Sequence, residues 1–197
     1  MRLVFATNNK HKLEEIKKAI DTTVPGRYEI VGLNDFDFHE ELPETADTLE
    51  GNALQKATYF YDRFKTDCFA DDTGLEVLSL NNRPGVFSAR YAGPGCNFDD
   101  NINRLLSELS GIKQRGARFR TVIALIHRDQ TYLFEGEIQG VITTSRYGKN
   151  GFGYDPVFRP DGFAQTFAEM SLEIKNSISH RTRALNKLIS FLSQAGI

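Results

Sequence analysis

Two adjacent carboxylates, Asp71 and Asp72, interrupt the apolar run CFADDTGLEV at 68–77, with a hydroxyl and a glycine directly after them. Successive side chains on a strand point to opposite faces, so both acids cannot enter one core while the strand stays regular. The expectation is that the strand ends here and one acid emerges. A carboxylate taken out of water is costly unless it meets a cation or hydrogen-bond donors, which is why paired acids at strand ends suit metal binding or acid–base work. A solvated bend at Thr73-Gly74, capped by an aspartate, explains the same letters without chemistry.

Cations are aimed toward the same place. Leu49, Ala53, Ala57, Phe60 and Phe64 recur at helical spacing over 48–64, and Lys56 falls among Leu49, Ala53 and Phe60 instead of on the polar side. An inward lysine near Asp72 would serve phosphate or carboxylate; a stem snorkelling from the edge of the stripe is the alternative. Arg181 shares the face of Leu185, Leu188 and Leu192 but stands one turn before them, at a helix start whose N–H groups favour anions. His180 and Arg181 could look into a ligand cleft, or Arg181 could make a structural ion pair.

The junction RLVFAT–TNNKHK is a strand running into a helix, a place where backbone N–H groups cradle phosphate, and Lys10 and Lys12 add positive charge. A solvated helix start is again the alternative, and no G-x-x-x-x-G-K-[ST] sequence occurs. In YGKNGFGYDP the glycines are misspaced for a dinucleotide fingerprint, and Pro156 argues against a helix opening there. What remains is a loop offering Phe152, Tyr154 and Asp155 to stack a base and read its edge, or an ordinary tight turn. His11, His39, His127 and His180 lack zinc spacing and no G-x-S-x-G elbow is present, which disfavours hydrolysis through zinc or a serine nucleophile.

The elements that must position these residues alternate. A strand over RLVFAT, a helix marked by Leu13, Ile16 and Ile20, and a strand over YEIVGL make a βαβ opening. Asp47 and Glu50 resemble a capping box before the helix at 48–64, a helix follows near 97–109, and ARFRTVIALIHR and TYLFEGEIQGVIT flank a turn expected at Asp129-Gln130. The second half of MSLEIKNSISHRTRALNKLISFLSQAG reads as a helix. The pattern predicts one α/β domain over 1–197 with a mixed sheet flanked by helices, which the long hairpin could draw into two lobes.

Composition agrees with a globular enzyme: 197 residues, 40% hydrophobic, formal charge -2. With no broad basic surface, an anionic ligand needs a local cluster of positive groups, and bulk nucleic-acid binding is disfavoured. No apolar run approaches the roughly 20 residues that span a bilayer, and the amino terminus lacks the pattern of a signal peptide, so a cytoplasmic location is expected. Cys68 and Cys96 make neither a disulfide framework nor a C-x-x-C site, and Cys68 reads as an inert buried thiol.

Taken in order, FATNNKHKLEE, LPETADTLEGNALQKA, FADDTGLEV, RPGVFSARYAG, GFGYDPVF and EIKNSISHRTRAL resemble the successive motifs of the noncanonical purine nucleoside triphosphate pyrophosphatases, the inosine triphosphate pyrophosphatase-like or dITP/XTP diphosphatase family. The resemblance runs from Thr7 to the final helix. It implies hydrolysis of ITP, dITP and XTP to the monophosphate and pyrophosphate with Mg²⁺, by an elongated two-lobed α/β homodimer with a central cleft. On the matching positions, Thr7, Asn8, Asn9, Lys10, His11 and Lys12 form the triphosphate-binding segment, with Asn8 where many members have glycine. Asp72 falls on the acid that ligates metal or accepts a proton, with Thr73 beside it as a substrate contact. Glu44 falls on a second metal-ligating acid, with Glu40, Glu41 and Glu50 near it in sequence, and Lys56 on an active-site lysine. Phe152, Gly153, Tyr154, Asp155, Lys175, His180 and Arg181 match nucleoside-binding positions. The mechanism this suggests has Asp72 activating the water that attacks the α-phosphorus, pyrophosphate leaving toward Lys10 and Lys12, Lys56 steadying the equatorial oxygens, and Arg181 or a backbone N–H reading the 6-keto group.

Overall fold

The structure, a computed structural model, describes residues 2–95 and 97–194; Cys96 lies outside them. Its elements in chain order are β1 (Arg2–Phe5), α1 (Lys10–Thr23), β2 (Glu29–Val31), α2 (Leu49–Phe64), β3 (Cys68–Val77), β4 (Arg83–Gly85), α3 (Phe98–Glu108), β5 (Gly116–His127), β6 (Gln130–Ile142), β7 (Phe158–Pro160), α4 (Leu172–Ile178) and α5 (His180–Gln194). Among the described residues one seven-stranded mixed sheet runs β2-β1-β3-β5-β6-β7, with β4 paired to β3. β1 lies parallel to β2, matching Leu3 with Ile30, and parallel to β3, matching Phe5 with Phe69. β4 and β7 pair antiparallel with β3 and β6.

The chain groups into two compact units. The first falls within Met1–Asp72, Thr121–Gly136 and Arg181–Ile197, the second within Thr73–Arg120 and Glu137–His180. In the first, one core gathers Leu3 and Phe5 of β1, Ile16 and Ile20 of α1, Phe69 of β3, Ile123 of β5 and Leu185, Leu188 and Leu192 of α5. The rings of Phe5 and Phe69 stack at 4.7 Å across the parallel pair. Each is fully buried, worth roughly 1.5–3 kcal/mol of transfer free energy. Alternation sends Cys68, Ala70 and Asp72 to the other face of β3, where the Cys68 thiol lies 3.4 Å from the Ala57 carbonyl of α2. Burial pushes that thiol up to about 12, the inert state expected of it. The core of the second unit is built by Leu75, Leu105, Leu109, Phe119, Ile138, Phe158 and Phe167 with Tyr154 among them.

Several sequence expectations shift. β3 does not stop at Asp71-Asp72 but continues to Val77, so neither acid sits at a strand end. The cap of α2 is Thr48, whose hydroxyl accepts from Gly51 N–H at 3.0 Å, and not Asp47. The second half of the carboxy-terminal segment is the expected helix, α5, and the first half adds a short helix, α4, with Ser179 extended between them. The hairpin turn is Arg128-Asp129, both left-handed at φ 50° and 62°, and Gln130 already belongs to β6. Two positive φ values are what a two-residue hairpin asks for, and neither residue is glycine. Asp67 braces this turn by accepting from His127 Nδ1 at 2.5 Å and Arg128 N–H at 3.1 Å, while the Tyr61 hydroxyl donates to Asp129 at 2.7 Å. Arg128→Gly keeps the N–H bond and removes the left-handed strain. Its stability is expected to rise by up to ~1 kcal/mol, read as a higher thermal midpoint, and a lower midpoint would show that the arginine side chain matters more than its backbone.

Candidate active site

The first unit assembles acids and cations around β3. Asp71 points to the α1 and α5 side, where Lys12 Nζ meets Oδ1 at 3.0 Å and Arg181 Nε meets Oδ2 at 3.2 Å. Arg181 also pairs with the buried Glu15 of α1. Asp72 points to the α2 side, where Asn52 Nδ2 donates to Oδ2 at 3.0 Å and Lys56 Nζ lies 3.7 Å from Oδ1. Lys56 is bonded in turn to Glu44. Thus Glu44, Lys56 and Asp72 come together, and the inward lysine read from helical spacing is 4% exposed.

Opposite environments make the two neighbouring acids unlike. Burial would raise the Asp71 carboxyl, but Lys12, Arg181 and Lys56 outweigh it and hold the group well below the ordinary range. For Asp72 burial wins over Lys56 and Lys12, and the carboxyl sits above its usual value. Glu44 is also opposed by burial, yet Lys56 draws it down. Burial would lower the Lys56 ammonium, but Asp72 and Glu44 keep it charged by raising it. Asp72 is therefore the more basic of the two, the property a proton acceptor needs.

The segment between β1 and α1 is shaped by its own side chains. Asn9 caps α1 by accepting from Lys12 N–H at 3.2 Å, and its own N–H donates to Thr7 Oγ1 at 3.2 Å. Lys10 and His11 open the helix on its exposed side. Asn8 pins the chain that leads to Glu44: its amide donates to the Glu40 carbonyl at 2.9 Å and accepts from Leu42 N–H at 2.9 Å.

Glu44 and Asp72 offer only oxygen donors on either side of one ammonium. Among the described residues no group of three or more His, Cys, Asp or Glu could hold a metal ion. Two carboxylates are what the protein could offer a cation here, a set that would suit Mg²⁺, which keeps several waters and takes phosphate oxygens as further ligands.

The second unit carries the remaining expected positions. Asp155 Oδ2 accepts from Phe152 N–H at 2.9 Å and from Lys175 Nζ at 2.7 Å. Lys175 lies 4.9 Å from the Phe152 ring centroid and 5.7 Å from that of Phe167. His180 stacks on Phe119 at 4.7 Å. Glycine is required beside them: at Gly151, φ 76°, an added Cβ would lie 2.1 Å from Asp155 Oδ2. Gly153 turns the chain left-handed before Tyr154. Tyr154 is packed in the core with its hydroxyl on the Ser88 carbonyl at 2.9 Å, so its ring is not free to stack on a base, whereas Phe152 is half-buried. Thr73, half-buried, begins this unit's share of β3.

Asn52 and Glu15 were not singled out in the sequence. Both are polar residues on helix faces that bury apolar neighbours, the signal that exposed Lys56.

A model of the Ham1 family matches residues 3–191, and the chain belongs to that family. It is 51% identical over 193 residues to a protein named dITP/XTP pyrophosphatase from Flavobacterium johnsoniae, covering 98% of each. A Porphyromonas gingivalis protein of the same name is 53% identical over 192 residues, 97% of each chain. The Ham1 protein of Staphylococcus aureus superposes with a TM-score of 0.87 at 37% identity, covering 99% of this chain and 100% of that one.

Removing Asp71 would leave Lys12 and the buried Arg181 without their shared counter-charge. Asp71→Ala is expected to cost about 3–5 kcal/mol of unfolding free energy in urea, against less than ~0.5 for the exposed Glu14→Ala. Equal, small losses would mean the buried pairs contribute no net stability.

Proposed function

We propose that the chain hydrolyses noncanonical purine nucleoside triphosphates, ITP, dITP and XTP, to the monophosphate and pyrophosphate, with Mg²⁺ held by Glu44 and Asp72. The observation that carries this is the convergence of Glu44 and Asp72 on the buried Lys56, in a chain that matches relatives named dITP/XTP pyrophosphatase along nearly its whole length. When bound, Mg²⁺ would neutralise phosphate charge and polarise the α-phosphorus. The sign of the site supports a need for it, since the protein is slightly acidic and its buried cations are matched by buried acids.

Asp72, with its raised basicity, orients the attacking water and takes its proton. Lys56, kept charged by the two acids, donates to the equatorial oxygens as negative charge gathers there. Thr7, Asn8, Asn9, Lys10, His11 and Lys12 receive the triphosphate, with the amino end of α1 behind them. Thr73, Phe152, Gly153, Asp155, Lys175, His180 and Arg181 are the proposed nucleoside contacts, with Tyr154 packed in the core behind them. Discrimination against adenine calls for a donor to the 6-keto oxygen, which the adenine amino group cannot accept, and Arg181 and Lys175 are the donors put forward. Among the described residues no helix is long and apolar enough to cross a membrane. A cytoplasmic homodimer is part of the same proposal.

The test is product analysis with ITP, XTP, dITP, ATP and UTP. Pyrophosphate, not single phosphate, is expected from the first three, with ATP and UTP far slower. Asp72→Asn should lower turnover at least ~100-fold, and Lys56→Met should remove roughly 3 kcal/mol of transition-state stabilisation. Phosphate as the product, or normal turnover by Asp72→Asn, would refute the proposal.

A further inference from the structure

We infer that Asn52 is a positioning residue that sets which oxygen of Asp72 faces Lys56 and ties Asp72 to the segment bearing Glu44. The inference rests on the reading of Asp72 and Glu44 as the acids of the reacting centre. Asn52 is fully buried in α2, one turn before Lys56 and on the same side of the helix.

An amide has two unlike ends, and both are committed here. Oδ1 accepts from Ala46 N–H at 2.9 Å, and Nδ2 donates to Asp72 Oδ2 at 3.0 Å. Reversing the amide would set its NH₂ against the Ala46 N–H and its carbonyl against a carboxylate, like against like in both places. The Ala46 N–H therefore fixes the amide, and the fixed amide presents its donor to Asp72. With Oδ2 on that donor, Oδ1 is the oxygen turned toward Lys56, at 3.7 Å.

The same helix carries the Glu44 segment as a short ladder. Thr45 and Gln55 exchange two bonds, Thr45 N–H to Gln55 Oε1 at 2.9 Å and Gln55 Nε2 to Thr45 Oγ1 at 2.8 Å. Lys56 donates to Glu44. Residues 44, 45 and 46 thus meet helix positions 56, 55 and 52, and an added Cβ on Gly51 would lie 2.6 Å from the Ala46 Cβ. Asn52 and Lys56 are rungs that also reach β3, Asn52 by a hydrogen bond to Asp72 Oδ2 and Lys56 by its charge at 3.7 Å from Oδ1. A centre whose protein ligands are two carboxylates depends on their spacing, and Asn52 is a hydrogen-bonded link between the strand of one and the segment of the other.

The experiment compares Asn52→Asp and Asn52→Ala with Asp72→Asn, each confirmed as folded by thermal unfolding. Asn52→Asp keeps an acceptor for Ala46 N–H but replaces the donor toward Asp72 with a second acceptor. Both Asn52 variants are expected to lose about 10- to 100-fold in kcat for pyrophosphate release, the scale of a misplaced catalytic group, with KM little changed because the phosphate segment is untouched. In ¹H–¹⁵N spectra the Asn52 side-chain amide pair, identified by its loss in either variant, should shift when Mg²⁺ alone is added and stay still in Asp72→Asn. Wild-type kcat in Asn52→Asp, or an amide pair that ignores Mg²⁺, would overturn the inference. Normal Asn52 variants beside an inactive Asp72→Asn would sink this inference alone, whereas an active Asp72→Asn would remove the centre on which it rests.

Discussion

Burying two carboxylates side by side in the middle of a strand is tolerable only if each meets its own positive charge, and β3 solves this by alternation. The pleat turns Asp71 toward α1 and α5 and Asp72 toward α2, so Lys12 and Arg181 answer one acid and Lys56 and Asn52 answer the other. The two faces are not equivalent. Asp71 lies between two cations and is held ionised, while Asp72 shares Lys56 with Glu44 and pays more of its desolvation in raised basicity. One pair of adjacent residues thereby yields a fixed structural anion and a group able to accept a proton.

The helices on the two faces follow from that division. α1 brings an Asn9-capped amino end and a lysine to Asp71, and its buried Glu15 balances the second charge that Arg181 introduces. α2 brings Lys56 inward on its apolar stripe and holds the Glu44 segment through Asn52 and Gln55. Packing and chemistry are coupled here, because the face of α2 that buries Ala53, Ala57 and Phe60 is also the face that carries Asn52 and Lys56.

Features set by local pattern were legible in the sequence. The inward lysine, the βαβ opening, the helix from Asn97 and the long hairpin each depend on spacing within a short window. Features decided by distant partners were not. Asp71-Asp72 reads as a strand end because the cations that permit burial of Asp71 stand 59 and 110 residues away in sequence, on α1 and α5. The hairpin turn moved by one residue because Asp67 and Tyr61, outside the hairpin, stabilise left-handed Arg128 and Asp129. Thr48 outcompeted Asp47 as the cap of α2 by one position, a difference smaller than any pattern can resolve. Arg181 stood out as a charge on an apolar face, but nothing near it in sequence announces Glu15 and Asp71 as its partners.

Neighbouring acids on opposite faces of one strand are thus made chemically different. Carboxyl ¹³C NMR of the metal-free protein, titrated downward in pH, measures this directly. Asp72 is expected to take up its proton first as pH falls, and Asp71 to remain ionised to the acid limit of the folded state. Protonation of Asp71 before Asp72, or of both together, would contradict the account.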